Sequence, residues 1–284
     1  MQITVHQHLR SPGVDRWLDR LDRAALRLGR PQAPAPTKLE LRSAAGYPLH
    51  AAVWSPTGPG PHPTVVLVPD HGAEGAAVGA PHSPIQPGEL TAAGIRCATL
   101  DLAGRGQSWG EDDFGGPEHQ DDVAQLVAAL VGQARGGRVG LIGLGGGNQA
   151  ALGAARRLAG AVPWVIDWEG PADAETTRSL YGEDSPPLGV DDARWWSTRA
   201  AVAQIPALPC GYVRLQAEED HRKLGELRHA LRCLHAAADG RPAWFQINDH
   251  PRGERPLRPV WIGRGLLPAR AALLQKIRTL CAAG

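Results

Sequence analysis

The sequence predicts an α/β fold, with a doubly wound, mostly parallel sheet, a leading antiparallel hairpin and a short lid. Two strand-like segments, 39–43 and 49–54, flank a turn that contains Gly46, which is typical of a hairpin. From residue 65 onward, short apolar runs alternate with segments of helical periodicity. Strands that alternate with helices indicate a parallel sheet covered on both faces.

Each apolar run has the length of a buried strand, and each periodic segment has the length of a helix. The predicted strands after the hairpin are residues 65–68, 96–100, 139–142, 163–166, 212–216 and 243–247. The predicted helices lie near residues 87–93, at 120–131, directly after residue 147, at 225–237 and at 268–281.

The chain divides into an arm and one large domain. Residues 1–36 form the arm, because 13–28 repeats apolar residues at helical spacing and Pro31, Pro34 and Pro36 then end the helix. Residues 37–284 form the α/β domain. Within it, the polar, proline-punctuated stretch 170–206 interrupts the strand–helix rhythm and is the predicted lid.

The amino-acid composition argues against a nucleic-acid-binding, membrane-spanning or metal-binding protein. The 284 residues are 43% hydrophobic and 21% charged, with a formal net charge of +1. A net charge this close to zero does not predict a basic surface that would bind nucleic acid or an anionic membrane. The four cysteines have no metal-ligand spacing, and no apolar run has the length of a membrane span. We therefore expect a cytoplasmic protein without a metal or cofactor.

Three loops that follow successive strands carry the motifs. The first is Pro69-Asp70-His71-Gly72, and the second, residues 101–108, reads D-x-x-G-x-G-x-S. The third is the glycine-rich turn 143–147, which joins a strand to an alanine-rich helix. In this order the three loops resemble those of the α/β-hydrolase family, and the resemblance covers about residues 38–282.

The resemblance implies a role for each position. Gly145 stands where the family carries its nucleophile, in a turn that the family spells G-x-S-x-G. The N–H of Gly146 would be one oxyanion donor, and the loop around Gly72 and Ala73 would supply the other. The family's acid follows a late strand, where Asp220 is the best match and Glu219 the second.

Other positions for the acid and the histidine are also implied. Asp167 and Glu169 are the alternative acids, since some members place this group one strand earlier. His250 follows the last predicted strand and is the candidate histidine.

Gly145 has no side chain that could attack a substrate, so the resemblance implies the architecture of serine esterases and peptidases without their usual nucleophile. We expect weak or no esterase activity and a small ligand or partner bound in the former pocket. The first alternative is an active hydrolase or lyase that uses a His250/Asp220 pair, or a displaced nucleophile. The candidates for a displaced nucleophile are Ser108, Ser83 and Ser179.

A second alternative comes from the same turn. Gly145-x-Gly147-x-x-Ala150 follows a strand and opens a helix, and Asp167 ends the next strand, as in a dinucleotide-binding oxidoreductase. Trp195 and Trp196 lie in the predicted lid, where they either line a pocket or pack against the core. The sequence does not indicate an oligomeric state.

Overall fold

The computed structural model describes residues 31–81, 83–181, 192–216, 227–248 and 266–283. Its strands are β1 (Thr37–Arg42), β2 (Pro48–Trp54), β3 (His62–Val68), β4 (Arg96–Leu100), β5 (Ala134–Leu144), β6 (Trp164–Trp168), β7 (Gly211–Leu215) and β8 (Trp244–Ile247). Its α-helices are α1 (Pro87–Ala92), α2 (Pro117–Val131), α3 (Gly147–Arg157), α4 (Ala174–Tyr181), α5 (Ala193–Ser197), α6 (Ala201–Gln204), α7 (Leu227–Asp239) and α8 (Leu266–Ala283). Two short 3-10 helices cover Gly75–Gly79 and Ile205–Ala207.

The eight strands form one sheet in the order β1-β2-β4-β3-β5-β6-β7-β8. β2 pairs antiparallel with β1 and β4, and every other neighbouring pair is parallel. The predicted mostly parallel sheet and its leading hairpin are therefore confirmed. The predicted helix at 13–28 lies outside the described residues.

Helices cover both faces of the sheet. One hydrophobic cluster packs alternate strand residues such as Val66 and Leu141 against α2, α3, α6 and α7. The other packs the intervening strand residues, such as Val65 and Ile142, against α1 and α8. Successive residues of a strand point to opposite faces, so a strand buried on both sides is apolar throughout. This explains why the sequence shows continuous apolar runs in the central strands.

The connection between β6 and β7 is the segment predicted as a lid. It contains α4, α5, α6 and the 3-10 helix Ile205–Ala207. Residues 182–191 of this connection lie outside the described part of the chain. α6 packs against α3 and α7 through the buried Ala201, which joins the end of this connection to the main core.

A fully buried ion pair joins β6 to β7 near the carboxyl ends of both strands. Arg214 Nη1 lies 2.8 Å from Asp167 Oδ2, and both side chains are completely buried. Tyr212 donates its hydroxyl to the same carboxylate oxygen at 2.8 Å, and the Gly170 N–H donates to Asp167 Oδ1 at 3.0 Å. The guanidinium also donates to the side-chain oxygen of Gln216. Because every partner is buried, removal of one charge leaves the other without compensation.

We expect Asp167→Asn to lower the free energy of unfolding by about 3–5 kcal/mol, because Arg214 would keep its charge in a dry interior. The matched control is Asp121→Asn, whose partner Arg157 is, like Asp121, roughly 40% exposed; there we expect less than about 1 kcal/mol. Urea unfolding at pH 7 measures both. Equal losses in the two variants would contradict a dominant buried ion pair.

Candidate active site

Six mutually parallel strands, β3 to β8, end at one edge of the sheet. Val68 pairs with Gly143, Leu144 with Trp168, and Trp168 with Leu215. The loops after these strands therefore meet at the same edge, which is where open parallel sheets bind their ligands. Asp70, Gly145 and Glu169 each lie one or two residues beyond the end of such a strand.

The turn between β5 and α3 has the geometry of a sharp strand-to-helix corner. Gly145 adopts φ = +53°, a left-handed conformation that is costly for residues with a Cβ atom. The start of α3 also lies very close to the end of β3. A Cβ atom on Gly147 would be 2.3 Å from the carbonyl oxygen of Pro69. The glycines predicted to form a sharp turn therefore do so. The left-handed conformation requires glycine at position 145, and the short distance to Pro69 requires it at position 147.

The carboxylate of Asp70 fills the space beside this corner. A Cβ atom on Gly145 would lie 2.4 Å from Asp70 Oδ1, which is closer than real Cβ atoms approach other heavy atoms. The same oxygen accepts the backbone N–H groups of Gly146 and His71, each at 2.7 Å, and the hydroxyl of Tyr181. Three donors that converge on one oxygen stabilise negative charge there. Asp70 thus occupies the side-chain position that residue 145 leaves empty.

This arrangement changes the expected oxyanion donors. The Gly146 N–H, the first of the predicted donors, donates to Asp70 Oδ1 and to the Tyr181 oxygen, each at 2.7 Å. The Ala73 N–H closes a turn on the backbone oxygen of Asp70 at 3.0 Å, so it does not point to the corner. Gly72 is exposed, with φ = +69°. The donor from this loop is the His71 N–H, which the sequence analysis did not select.

Two aromatic residues surround the carboxylate. The His71 ring lies 4.7 Å from the Tyr181 ring and 5.2 Å from the Phe114 ring, measured between centroids. Tyr181 ends α4, so a helix from the connection between β6 and β7 contributes directly to the corner. Sequence reasoning missed Asp70 and Tyr181. Asp70 lies in the motif at residues 69–72, whereas no motif in the sequence around Tyr181 indicates a role for it.

Asp167, one of the two alternative acids, lies in β6. Its carboxylate is fully buried and is held by Arg214, Tyr212 and Gly170. These contacts do not favour either an acid role for Asp167 or a bond from it to the ribose of a dinucleotide. The corner itself packs closely against Pro69 and Asp70. The acid role of Asp167 and the dinucleotide-binding alternative stay predictions.

Of the other predicted acids and the predicted histidine, Glu169 alone lies in the described part of the chain. Glu169 is almost fully buried and has φ = +50°, a strained conformation, directly after β6. Its N–H donates to Leu215 in the neighbouring strand at 3.1 Å. Asp220, Glu219 and His250 lie outside the described residues, so their roles stay predictions.

The candidate serines for a displaced nucleophile have structural contacts. Ser108 is buried; it donates to the Asp101 oxygen at 2.6 Å and accepts the His50 N–H at 2.9 Å. Ser83 is also buried and donates to Ile85 at 2.7 Å. Ser179 is half-buried on α4. Two of the three hydroxyls are thus used to hold loops.

The tryptophan pair packs against cations. Trp195 and Trp196 meet edge to face, with centroids 4.7 Å apart. The Arg199 guanidinium lies 3.9 Å from the Trp195 ring centroid, and that of Arg178 lies 5.5 Å from Trp196. Trp196 is buried. These contacts favour a packing role for the pair.

The loop after β4 is anchored to α2 and reaches the corner. Ala103 donates its N–H to Asp122 Oδ2 at 2.9 Å, and its carbonyl lies 3.0 Å from His119 Nε2. Farther along the loop, Arg105 pairs with Asp112 at 2.8 Å and donates to the backbone oxygen of Asp70 at 3.3 Å. Two buried titratable side chains therefore hold the loop that supports Asp70.

Comparison with known proteins now identifies the family. A model of the X-Pro dipeptidyl-peptidases, the S15 family, matches residues 45–244, which is more than half of the chain. The chain belongs to the S15 family. A search of curated proteins found no match.

Solved structures support the same fold. Dipeptidyl peptidase 4 of Porphyromonas gingivalis is 15% identical with a TM-score of 0.66, over 89% of this chain and 36% of that protein. A 2,6-dihydroxy-pseudo-oxynicotine hydrolase is 18% identical with a TM-score of 0.63, over 94% and 73%. Acetyl xylan esterase 1 of Thermoanaerobacterium sp. JW/SL YS485 is 13% identical with a TM-score of 0.59, over 97% and 95%. This S15 member therefore has the α/β-hydrolase fold and spans about a third of the peptidase.

Among the described residues, no helix has both the length and the apolar character needed to cross a membrane. The same residues contain no group of three or more histidine, cysteine or acidic side chains that could hold a metal ion.

The two side chains that anchor the β4 loop have opposite effects on stability in acid. Burial, and then Arg105, lowers the pKa of His119 from 6.5 to about 4. Stability from a neutral buried histidine is complete above pH 6.5 and is lost as the pH falls toward 4, by on the order of 3 kcal/mol. Burial raises the pKa of Asp122 to about 6. The folded protein therefore gains stability from this group as the pH falls from 6 toward 3.8.

We therefore expect Asp122→Asn to steepen the loss of stability between pH 7 and pH 4.5, and His119→Gln to reduce it. Urea unfolding of wild type and both variants at the two pH values measures the change. The same pH dependence in all three proteins would show that neither side chain titrates in this window.

Proposed function

We propose that this S15 member does not carry out serine-type acyl transfer and that it binds a small molecule at the edge of the sheet where the hydrolase site lies. The observation that carries the proposal is the Asp70 carboxylate, which fills the side-chain space of Gly145 and takes the Gly146 N–H. Acyl transfer through a covalent intermediate needs an oxygen or sulfur nucleophile and an unoccupied oxyanion donor. Residue 145 supplies no such nucleophile, and the Gly146 N–H is already bonded to Asp70 and Tyr181.

The occupied oxyanion donor at Gly146 opposes acyl transfer as much as the missing serine does. An oxyanion would have to displace a carboxylate that already has three hydrogen bonds. The backbone N–H of Gly146 precedes the first turn of α3, an 11-residue helix whose N-terminus further favours the negative charge of Asp70. A tetrahedral intermediate at the corner would therefore gain less from these donors than it gains in an open oxyanion hole.

The ligand proposed for this edge is small, because the residues that surround the corner already pack against each other. His71, Phe114 and Tyr181 form its aromatic lining.

We expect Gly145→Ser alone to leave ester hydrolysis near the wild-type level, because its Cβ atom would meet Asp70 Oδ1 at 2.4 Å. The double variant Gly145→Ser/Asp70→Ala removes this clash and frees the Gly146 N–H. We expect it to hydrolyse p-nitrophenyl acetate roughly a hundredfold faster than wild type.

The control is Asp70→Ala alone, which opens the corner but supplies no nucleophile and should stay near the wild-type level. All four proteins are measured by burst and steady-state release of p-nitrophenol from the ester, and by release of p-nitroaniline from an alanyl-prolyl p-nitroanilide as the peptide substrate. Wild-type turnover that equals that of the double variant would contradict the proposal.

A further inference from the structure

We propose that a cleft at the edge of the sheet where the parallel strands begin binds the phosphate group of a small molecule, and that Arg135 and Arg138 hold this group. The cleft lies beside the first residues of β3 and β6, the first half of β5 and the last turn of α8. The corner at Gly145 lies at the opposite edge, just beyond the end of β5. This inference therefore goes beyond the proposed function and does not depend on it.

The cleft has an apolar wall. Pro63, Pro163 and Leu280 line it, together with the almost fully buried Trp164. A Cβ atom on Gly140 would be only 2.1 Å from Cη2 of Trp164, so the indole lies directly over this glycine of the neighbouring strand. The volume of the cleft is about 320 Å³, its open side included. We therefore expect a small ligand whose apolar part is short.

Two guanidinium groups line the same cleft, and neither is neutralised there. Arg135 and Arg138 are exposed, and neither guanidinium has a hydrogen bond or an ion pair with any residue of the described ranges. None of the described residues that line the cleft is acidic. By contrast, Arg105, Arg157 and Arg199 each pair with an aspartate. Two positive charges that share a cleft without a counter-charge predict an anionic ligand.

A local insertion in β5 places the two arginines beside the cleft. β5 advances five residues between Ala134 and Val139, whereas the paired residues of β3 advance only two. The extra stretch reads Arg-Gly-Gly-Arg, and Gly136 and Gly137 have φ = +68° and +63°. Glycine adopts this left-handed conformation at little cost. The stretch has no partner in the register with β3, and such bulges redirect the side chains that they carry.

The charges around the cleft favour an anion with two negative charges. The last turn of α8 lies beside the cleft, and a helix C-terminus carries a partial negative charge of roughly half a unit. The two guanidinium groups exceed this opposing charge, and their planar donors match the oxygens of a phosphate. A phosphate dianion can neutralise both arginines, whereas a carboxylate can neutralise only one. The cleft therefore suits a phosphate better than a carboxylate.

The test is an NMR titration of isotope-labelled protein with inorganic phosphate, phenyl phosphate and acetate at pH 7 and constant ionic strength. We expect saturable shifts of the backbone amides of residues 135–138 with both phosphates, with dissociation constants that are roughly millimolar. Acetate should bind more weakly. The Gly146 amide, at the opposite edge of the sheet, should keep its position.

Two variants test the role of the arginines. Arg135→Gln and Arg138→Gln each remove one charge-assisted contact, and we expect each to raise the dissociation constant of phosphate about tenfold. The matched control is Arg194→Gln, which removes an exposed arginine of α5 outside the cleft and should leave phosphate binding unchanged. Circular dichroism and urea unfolding confirm that each variant is folded.

The two phosphates distinguish the source of the group. Tighter binding of phenyl phosphate would assign a phosphate ester as the ligand, and equal dissociation constants would assign free phosphate; both results support the inference. Acetate that binds as tightly as phosphate, or no saturable shift at residues 135–138 in folded wild type, would overturn it. Arginine variants that lose stability but bind phosphate like wild type would overturn it as well, because the arginines would then serve only the end of α8.

Discussion

The hydrogen bond from the Gly146 N–H to the Asp70 carboxylate is the interaction on which the candidate site depends. It joins residues 76 positions apart in the chain and connects the loop after β3 to the corner after β5. The carboxylate occupies space that a Cβ atom on residue 145 would need. The lack of a nucleophile at Gly145 and the position of Asp70 are therefore two aspects of one geometry.

The fold holds both partners in place. The adjacent strands β3 and β5 fix the separation of their loops, and the contact of Gly147 with Pro69 brings the start of α3 against the end of β3. α4 adds Tyr181 from the connection between β6 and β7. On the other side, Arg105 donates to the backbone of Asp70 from the β4 loop, which His119 and Asp122 anchor to α2. The carboxylate thus lies where four connections of the sheet meet.

Much of the fold could be predicted from sequence because its signals are local. The apolar run of β4 and the glycine spacing at 143–147 each indicate an element through residues next to each other in the chain. The site was less predictable, because its contacts are distant in sequence. The bond from Tyr181 to Asp70 spans 111 positions, and the pairing of Asp167 with Arg214 depends on register between strands. The motif at 69–72 suggested backbone donors, whereas its aspartate side chain fills the site.

The most direct measurement is the chemical shift of the Gly146 amide proton, recorded by NMR in isotope-labelled wild type and in Asp70→Ala. If Asp70 Oδ1 accepts this N–H, the Gly146 amide proton should lie downfield in wild type. In Asp70→Ala, which removes the acceptor, the Gly146 signal should move upfield while the signals of distant strands keep their positions. A Gly146 amide shift that is the same in both proteins would contradict the account.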